Sequence, residues 1–390
     1  MKDATIIIGI GRTTADRNAT SDPMDHIARA LKLAVADAGL ARTDIDGLMV
    51  NTIPDSAAMD KLPEVLGLPS IRFAFQSWPH GRVQPTCIAV GAWAIMSGAA
   101  TYVACISTAQ QLASALTPHH PGVQSAVESS REGGGPHLES PPYGMTTIGA
   151  GAAMATRKYL SKYGGTEEEL GAIAVSQRQW AQLQREAYFY GRPITMEDYL
   201  DAPYVVEPLR TYDHCIPGNA AFCMILALAD RAADAPKRPV YISGFQGSSS
   251  GKETFVFSRT GLGIGQQSEH AFRAPEMAVY KMADVTRKDI NILGCLDAFS
   301  PLILFGLEEF GFCKEGEALS FVQGGRIAPG GEFPINTCGG GLSDVESFGW
   351  GHEIDMVRQL RGEAGAAQVA GVRVCQYVAT DRSSVILTTR

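Results

Sequence analysis

The strongest constraint on this chain is that part of it occurs twice. "ARTDIDGLMVN" at 41–51 returns as "VTRKDINILGCLD" at 285–297, with Arg42, Asp44, Ile45 and Leu48 recurring as Arg287, Asp289, Ile290 and Leu293. Both copies follow a helix-like segment, "IARALKLAVADAGL" and "APEMAVYKMADV", and both end in an apolar strand. One echo alone could be chance, but a helix, a turn and a strand repeating together point to duplication of a whole α/β unit. At 390 residues the chain also exceeds the usual size of one domain. It is therefore read as two similar halves, 1–235 and 236–390, meeting at the "DAPKRPVY" linker of 234–241.

The first half opens with "ATIIIGIG", a buried strand, then "DPMDHIARALKLAVADAGL", an amphipathic helix started by Asp22 and Pro23 and ended by Gly39. "IDGLMVN" follows as a second strand, which makes a βαβ unit with a parallel pair. Gly9 and Gly11 invite a dinucleotide reading, but the third glycine is missing and "RTTADRNATSD" separates the pair from the helix. No phosphate would meet a helix N-terminus there. From about 117 to 210 the composition changes, with "TPHHPGV", "SSREGGGPHLESPPYG" and "EAYFYGRPITMEDYL". This stretch reads as an excursion from the first half, a lid or substrate-facing loop subdomain whose tyrosines either stack on a ligand or pack a local core.

Net charge of −8, a pI near 5.5 and the absence of any Lys/Arg block disfavour nucleic acid and anionic membrane as partners. The apolar run near the N-terminus is about five residues, short of the ~7–15 of a secretory signal core, and no segment reaches the ~18 needed to span a bilayer. A cytoplasmic location is expected. The eight cysteines, at 87, 105, 215, 223, 295, 313, 338 and 375, form no CxxC pair. They are expected to be thiols, with no metal held by this chain.

Three clusters carry chemistry. Cys87, in "VQPTCIAVGAW", precedes a run of small residues that permits a close-packed helix. At a helix N-terminus the dipole favours a thiolate, the form a nucleophile needs, although a buried structural cysteine fits the same spacing. Asp297 ends the second copy of the echoed strand, in "ILGCLDAFSP", where open parallel sheets place ligands; capping the helix that begins at "PLILFG" is its other role. The third cluster is "INTCGGGLSDVESFGWGHE". Beside Asn336 and Cys338, Gly339 and Gly340 let a ligand approach the backbone and offer N–H donors to an oxyanion, and Glu346 and His352 follow with protons to exchange.

Taken together, these clusters resemble the thiolase superfamily, and within it the sterol-carrier-protein or lipid-transfer type. The blocks "ATIIIGIGRT", "ALKLAVADAGLARTDIDGLMV", "CIAVGAWAIMSGAATYVACIST", "LRTYDHCIPGNAAFCMILALADRA", "LDAFSPLILFGLEEFGFCKEGE", "GGEFPINTCGGGLSD" and "VRQLRGEAGAAQVAGVRV" match that family's in order, over nearly the whole chain. The resemblance implies duplicated βαβαβαββ halves in a five-layered αβαβα core. It implies an enzyme, with Cys87 as a nucleophile that takes up an acyl group and coenzyme A as co-substrate in the thiolytic cleavage of a β-oxoacyl-CoA.

The chain departs from that pattern. In place of the sterol-carrier HDCF motif it reads Leu296, Asp297, Ala298 and Phe299, so only the aspartate survives. The family's GHP histidine falls on His352 in one alignment; in another, Glu346 stands at a tyrosine and Phe348 at a histidine of the lipid-transfer relatives. Glu346, His352 and Cys338 all remain candidates for the acid/base. Retro-aldol cleavage of a β-hydroxyacyl-CoA, as in steroid side-chain aldolases, is the alternative to thiolysis. The resemblance puts tyrosines of those relatives where this chain has Leu296 and Glu346, and with Cys87 in the nucleophile's place their absence favours thiolysis; the missing HDCF side chains leave room for a bulky or branched, benzoylsuccinyl-CoA-like substrate. A non-catalytic acyl-CoA or lipid-binding module is a further reading. The family also implies a homodimer, with "ATYVACIST" as its edge strand, and a small companion subunit combining a zinc ribbon and an OB-like fold.

Overall fold

The computed structural model describes residues 2–16, 21–51, 60–77, 81–110, 148–247, 277–379 and 382–390. β1 (Thr5–Arg12) is buried along its whole length. Asp22 then starts α1 (Pro23–Asp37), its side chain accepting from Met24 N at 2.9 Å, as the Asp-Pro signal predicts. The first half continues with β2 (Gly47–Val50), α2 (Leu62–Leu66), β3 (Phe73–Gln76), α3 (Gln84–Met96) and β4 (Val103–Gln110). After α4 (Ile148–Tyr163), α5 (Glu167–Ala181), α6 (Met196–Asp201) and the β5 (Tyr204–Val206), β6 (Leu209–Arg210) hairpin comes β7 (Asn219–Leu228). The rest comprises β8 (Val240–Gln246), α7 (Ala278–Ala283), β9 (Ile292–Cys295), α8 (Pro301–Glu309), α9 (Ala318–Phe321), α10 (Gly340–Ser343), α11 (Trp350–Arg361), β10 (Val374–Val378) and β11 (Ser384–Thr388).

Nine strands share one ladder in the order β3-β2-β4-β7-β1-β8-β11-β10-β9. Outward from its middle, β1, β7, β4 and β2 are matched by β8, β11, β10 and β9. In each set the outer two strands are parallel, and the strand between them and β1 or β8 is antiparallel to both neighbours. The sets join through a short antiparallel edge, Ile6↔Tyr241 and Ile7↔Val240.

The echoed residues do the same work twice. Asp44 accepts from Ala41 N at 2.8 Å and Asp289 from Thr286 N at 2.7 Å, each closing a 3₁₀ turn before its strand. Arg42 donates to Leu66 O, and Arg287 to Phe310 O, each at the end of the next helix.

Strand alternation then builds five layers. Ile6 and Ile8 of β1 and Cys223 and Ile225 of β7 face α1 on one outside. Ile7, Phe222 and Met224 face inward onto α3 and α11, which also receive Ile242, Tyr377, Val385 and Leu387 from the other set. Leu293, Val378 and Ile386 pack outward against α7 and α8. This is the αβαβα order expected.

Two expectations about the strands are corrected. β1 and β2 are not neighbours, because β7 and β4 intervene: β7 returns antiparallel and takes the place beside β1. For the same reason β4 is no edge strand; it lies between β2 and β7, and the open edge on that side is β3, where Phe75 is 43% exposed. Of the 117–210 excursion, residues 117–147 lie outside the described residues, and 148–210 packs on the second half. There Trp180 Nε1 donates to Ile327 O at 2.9 Å and Tyr159 meets Phe305 at 6.0 Å between ring centroids. Tyr199 is fully buried, so it packs, whereas Tyr190 and Tyr204 are exposed. Gly9 and Gly11 allow α1 to lie on β1, since a Cβ at either would come within 2.3 Å of an α1 carbonyl oxygen.

Candidate functional site

The second echoed strand, β9, delivers Asp297 into the interior two residues past its end. The carboxylate accepts from Gly341 N at 2.9 Å and Leu342 N at 3.4 Å, and meets His352 Nε2 at 3.0 Å. It does not cap α8, whose first turn carries no side-chain cap. The glycine run is therefore built around Asp297: Gly340 has φ +61°, and a Cβ there would lie 1.9 Å from Asp297 Oδ2. The N–H groups of Gly339 and Gly340, expected to meet an oxyanion, go instead to Asn336 O at 2.8 Å and Cys338 Sγ at 3.4 Å, and the aspartate takes the next two. Asn336 is likewise committed, its amide accepting from Cys295 N at 2.7 Å and donating to Cys295 O at 3.0 Å. The other end of the loop is pinned by Arg12 of β1, which donates to Asp344 at 2.7 Å in a buried ion pair.

Glu346 stands beside this pair. It is 2% exposed and accepts from Phe348 N at 2.7 Å. Burial, reinforced by the charge of Asp297, pushes its carboxyl up to about 7. His352 is buried at the start of α11, where burial opposes its charged form. The charge and hydrogen bond of Asp297 outweigh that and hold the imidazole above its ordinary range. Asp297, Glu346 and His352 thus form one coupled acid/base group. Cys338 sits inside the glycine turn, accepting from Gly340 N at 3.4 Å, and burial raises its thiol far above the ordinary value.

Cys87 occupies the first turn of α3, as expected, in surroundings that oppose its ionisation. The side chain is fully buried, its Sγ lies 3.1 Å from Ser77 Oγ, and burial pushes the thiol up to about 12 despite that contact. Desolvation here exceeds what the helix N-terminus can return. From Ser77 a chain of contacts runs through Asn51 Nδ2 at 2.9 Å to Trp350, whose Nε1 donates to Asn51 Oδ1 at 3.1 Å. Cys87 is thereby linked to the start of α11, the helix of His352.

Sequence reasoning missed several groups. Asn51 closes the first echoed strand, and a polar residue at that end was the available signal. Glu353, fully buried on α11 and pushed up to about 8, had none, because it reads as a charged residue on an ordinary helix. Among the described residues no cluster of His, Cys, Asp and Glu suits a metal ion, and no helix is long and apolar enough to cross a membrane.

Fold and site together define a thiolase-like enzyme scaffold with an acid/base group assembled from the second half. A family model described as "Thiolase C-terminal domain-like" matches residues 266–382. The chain is 33% identical over 375 residues to the 17-hydroxy-3-oxo-4-pregnene-20-carboxyl-CoA lyase of Mycobacterium tuberculosis, covering 94% of this chain and 93% of that one. It is 30% identical over 366 residues to the steroid side-chain-cleaving aldolase of Thermomonospora curvata, covering 92% and 90%. Among solved structures, that of an Ltp2-ChsH2(DUF35) aldolase superposes with a TM-score of 0.84 at 28% identity, covering 100% of this chain and 98% of that one. The chain belongs to the thiolase superfamily, as a sterol-carrier-protein-type thiolase-like protein.

Proposed function

We propose that this protein cleaves a bulky β-hydroxyacyl-CoA by a retro-aldol reaction. A base removes the β-hydroxyl proton, the Cα–Cβ bond breaks, a ketone or aldehyde leaves, and the remaining acyl-CoA enolate is protonated at Cα. The carrying observation is Glu346, a buried carboxyl poised near neutrality beside the Asp297–His352 pair. It stands where the resemblance puts a tyrosine of the aldolase relatives, and a carboxylate near 7 serves as a base there in the tyrosine's stead. Asp297 orients His352, and their charges tune Glu346.

Thiolysis, the reading the sequence alone favours, requires a Cys87 thiolate. The hydrogen-bond partner of Sγ is a serine hydroxyl, and the nearby charge that bears on the thiol is the negative one of Glu353, which opposes ionisation. The names of both relatives describe carbon–carbon lyase chemistry on steroid side chains, which supports a polycyclic or branched leaving group. The solved aldolase carries the paired name Ltp2-ChsH2(DUF35), which supports a companion subunit for this chain. For a homodimer, the exposed edge strand β3 replaces β4 as the contact we propose.

The test is a panel of β-hydroxyacyl-CoAs without free CoA, alongside the matching β-oxoacyl-CoAs with CoA, products read by mass spectrometry. Carbonyl release from the hydroxy series is expected. Turnover confined to the oxo series, and dependent on CoA, would overturn the proposal.

A further inference from the structure

Asp297, Glu346 and His352 are all buried, so an acid/base group built from them needs an open side if a substrate is to reach it. The carboxylate of Glu346 marks that side. Its Oε1 accepts from Phe348 N at 2.7 Å, whereas Oε2 has no hydrogen-bond partner among the described residues, a state in which few buried polar atoms are left without a functional reason. Oε2 faces Gly341: a Cβ built there would lie 3.2 Å from Glu346 Oε2, 3.3 Å from Asp297 Oδ1 and 3.4 Å from the Cβ of Cys215. Three separate stretches of chain thus converge on the bare face of one glycine. Their backbones are tied together, because Cys215 N donates to Ala298 O at 2.9 Å, Ile216 N to Gly341 O at 2.8 Å, and Glu346 N to Ile216 O at 2.9 Å. Around Gly341 the half-buried side chain is that of Cys215, and His214, Ile216 and Ala298 beside it are half-buried too. The other half-buried thiol, Cys313, follows α8 and packs against the core of the second half.

We propose that Cys215 is a specificity-determining residue: it forms the open wall of the acid/base group, past which the β-carbon of the substrate brings its hydroxyl to Glu346 Oε2. The inference rests on the retro-aldol reading and deepens it. A β-hydroxyl arriving from this side meets the carboxylate oxygen that is free to accept it, while Asp297 Oδ1 is already held by Gly341 N and His352. The substituents of the β-carbon then stand against Cys215. A short side chain there, next to a glycine with no side chain at all, leaves room for a crowded, fully substituted β-carbon; a longer one would fill that room. Burial, reinforced by the charges of Glu346 and Asp297, raises the Cys215 thiol well above its ordinary range, so it offers the substrate a neutral, weakly polar surface and no competing nucleophile.

Modification by methyl methanethiosulfonate, read by peptide mapping, tests the wall without any turnover. The probe is β-phenylbutyryl-CoA, which lacks the hydroxyl and cannot be cleaved. At about ten times its dissociation constant, measured by calorimetry, it should slow the modification of Cys215 in the wild-type protein by about tenfold and leave that of Cys313 unchanged. Selectivity supplies the second readout. Cys215→Leu should lower the ratio of kcat/KM for a β-phenyl over a β-methyl hydroxyacyl-CoA by roughly tenfold or more, and Cys215→Ala should raise it. Cys313→Leu, a bulky change away from the site, should not move the ratio. Equal modification of Cys215 with and without the probe, or a wild-type ratio in Cys215→Leu, would overturn the assignment. Protection of Cys215 in a protein that cleaves neither hydroxyacyl-CoA would instead sink the retro-aldol reading and leave Cys215 as a wall of the acyl-CoA site.

Discussion

Glu346→Gln separates a functional carboxyl from a structural one, because activity and stability should move in opposite directions. In the folded chain the carboxyl stays protonated up to about 7, against an ordinary 4.5. The unfolded chain releases its proton first, so the stability this group contributes is complete below about 4.5 and is lost as pH rises to about 7. At about 1.4 kcal/mol per pH unit, the wild type gives up on the order of 3 kcal/mol over that window. Glutamine is neutral throughout and keeps an acceptor for Phe348 N. The variant should therefore match wild type near pH 4.5 and exceed it by about 3 kcal/mol at pH 8, roughly 4 °C in melting temperature for a chain of this length. Its cleavage activity should drop by roughly 10²–10⁴-fold, while wild-type kcat/KM rises with pH toward about 7. Thermal melts from pH 4.5 to 8.5 and initial rates decide the matter. A variant that cleaves at the wild-type rate, or melts lower at pH 8, would refute the reasoning.

Cys87, with its thiol near 12, should react with iodoacetamide at pH 8 about a thousandfold more slowly than an unperturbed cysteine, as peptide mapping of alkylated protein would show. Asp297→Asn takes away the charge that meets His352 and turns one of the two oxygens accepting from Gly341 N and Leu342 N into a donor, so it should destabilise by about 2 kcal/mol or more and cut kcat roughly a hundredfold; denaturant titration and rate measurements check both. Gly340→Ala drives a Cβ into Asp297 at positive φ and should cost roughly 2–4 kcal/mol in the same titration.

Much of the fold was legible because the duplication wrote it twice. Arg42 and Arg287, with Asp44 and Asp289, recur because each pair closes the same turn and reaches the same helix end. Strand neighbours were not legible: "ATIIIGIG" and "IDGLMVN" are parallel, but what sits between them depends on β7, more than 160 residues further on. Asp297, Glu346 and His352 could be named from the glycine cluster and the strand end. Their arrangement could not, since the N–H groups of the glycine turn are taken by Asn336, Cys338 and Asp297 of the chain itself. Cys87 was placed correctly on α3, but the sequence displays only the helix N-terminus and not the burial that raises its thiol. Glu353 and Tyr377 left no local pattern; only the packing of α11 and β10 buries them in the central layer.

The central claim is that carbon–carbon cleavage proceeds from a neutral Cys87 with Glu346 as base and no acyl-enzyme. One quenched single-turnover reaction measures it directly: a bulky β-hydroxyacyl-CoA is mixed with excess protein and no free CoA, and carbonyl product and intact protein mass are read from the same sample. One carbonyl per substrate consumed, with the protein mass unchanged, is the expected result. A protein heavier by the acyl group, with no carbonyl released, would contradict it.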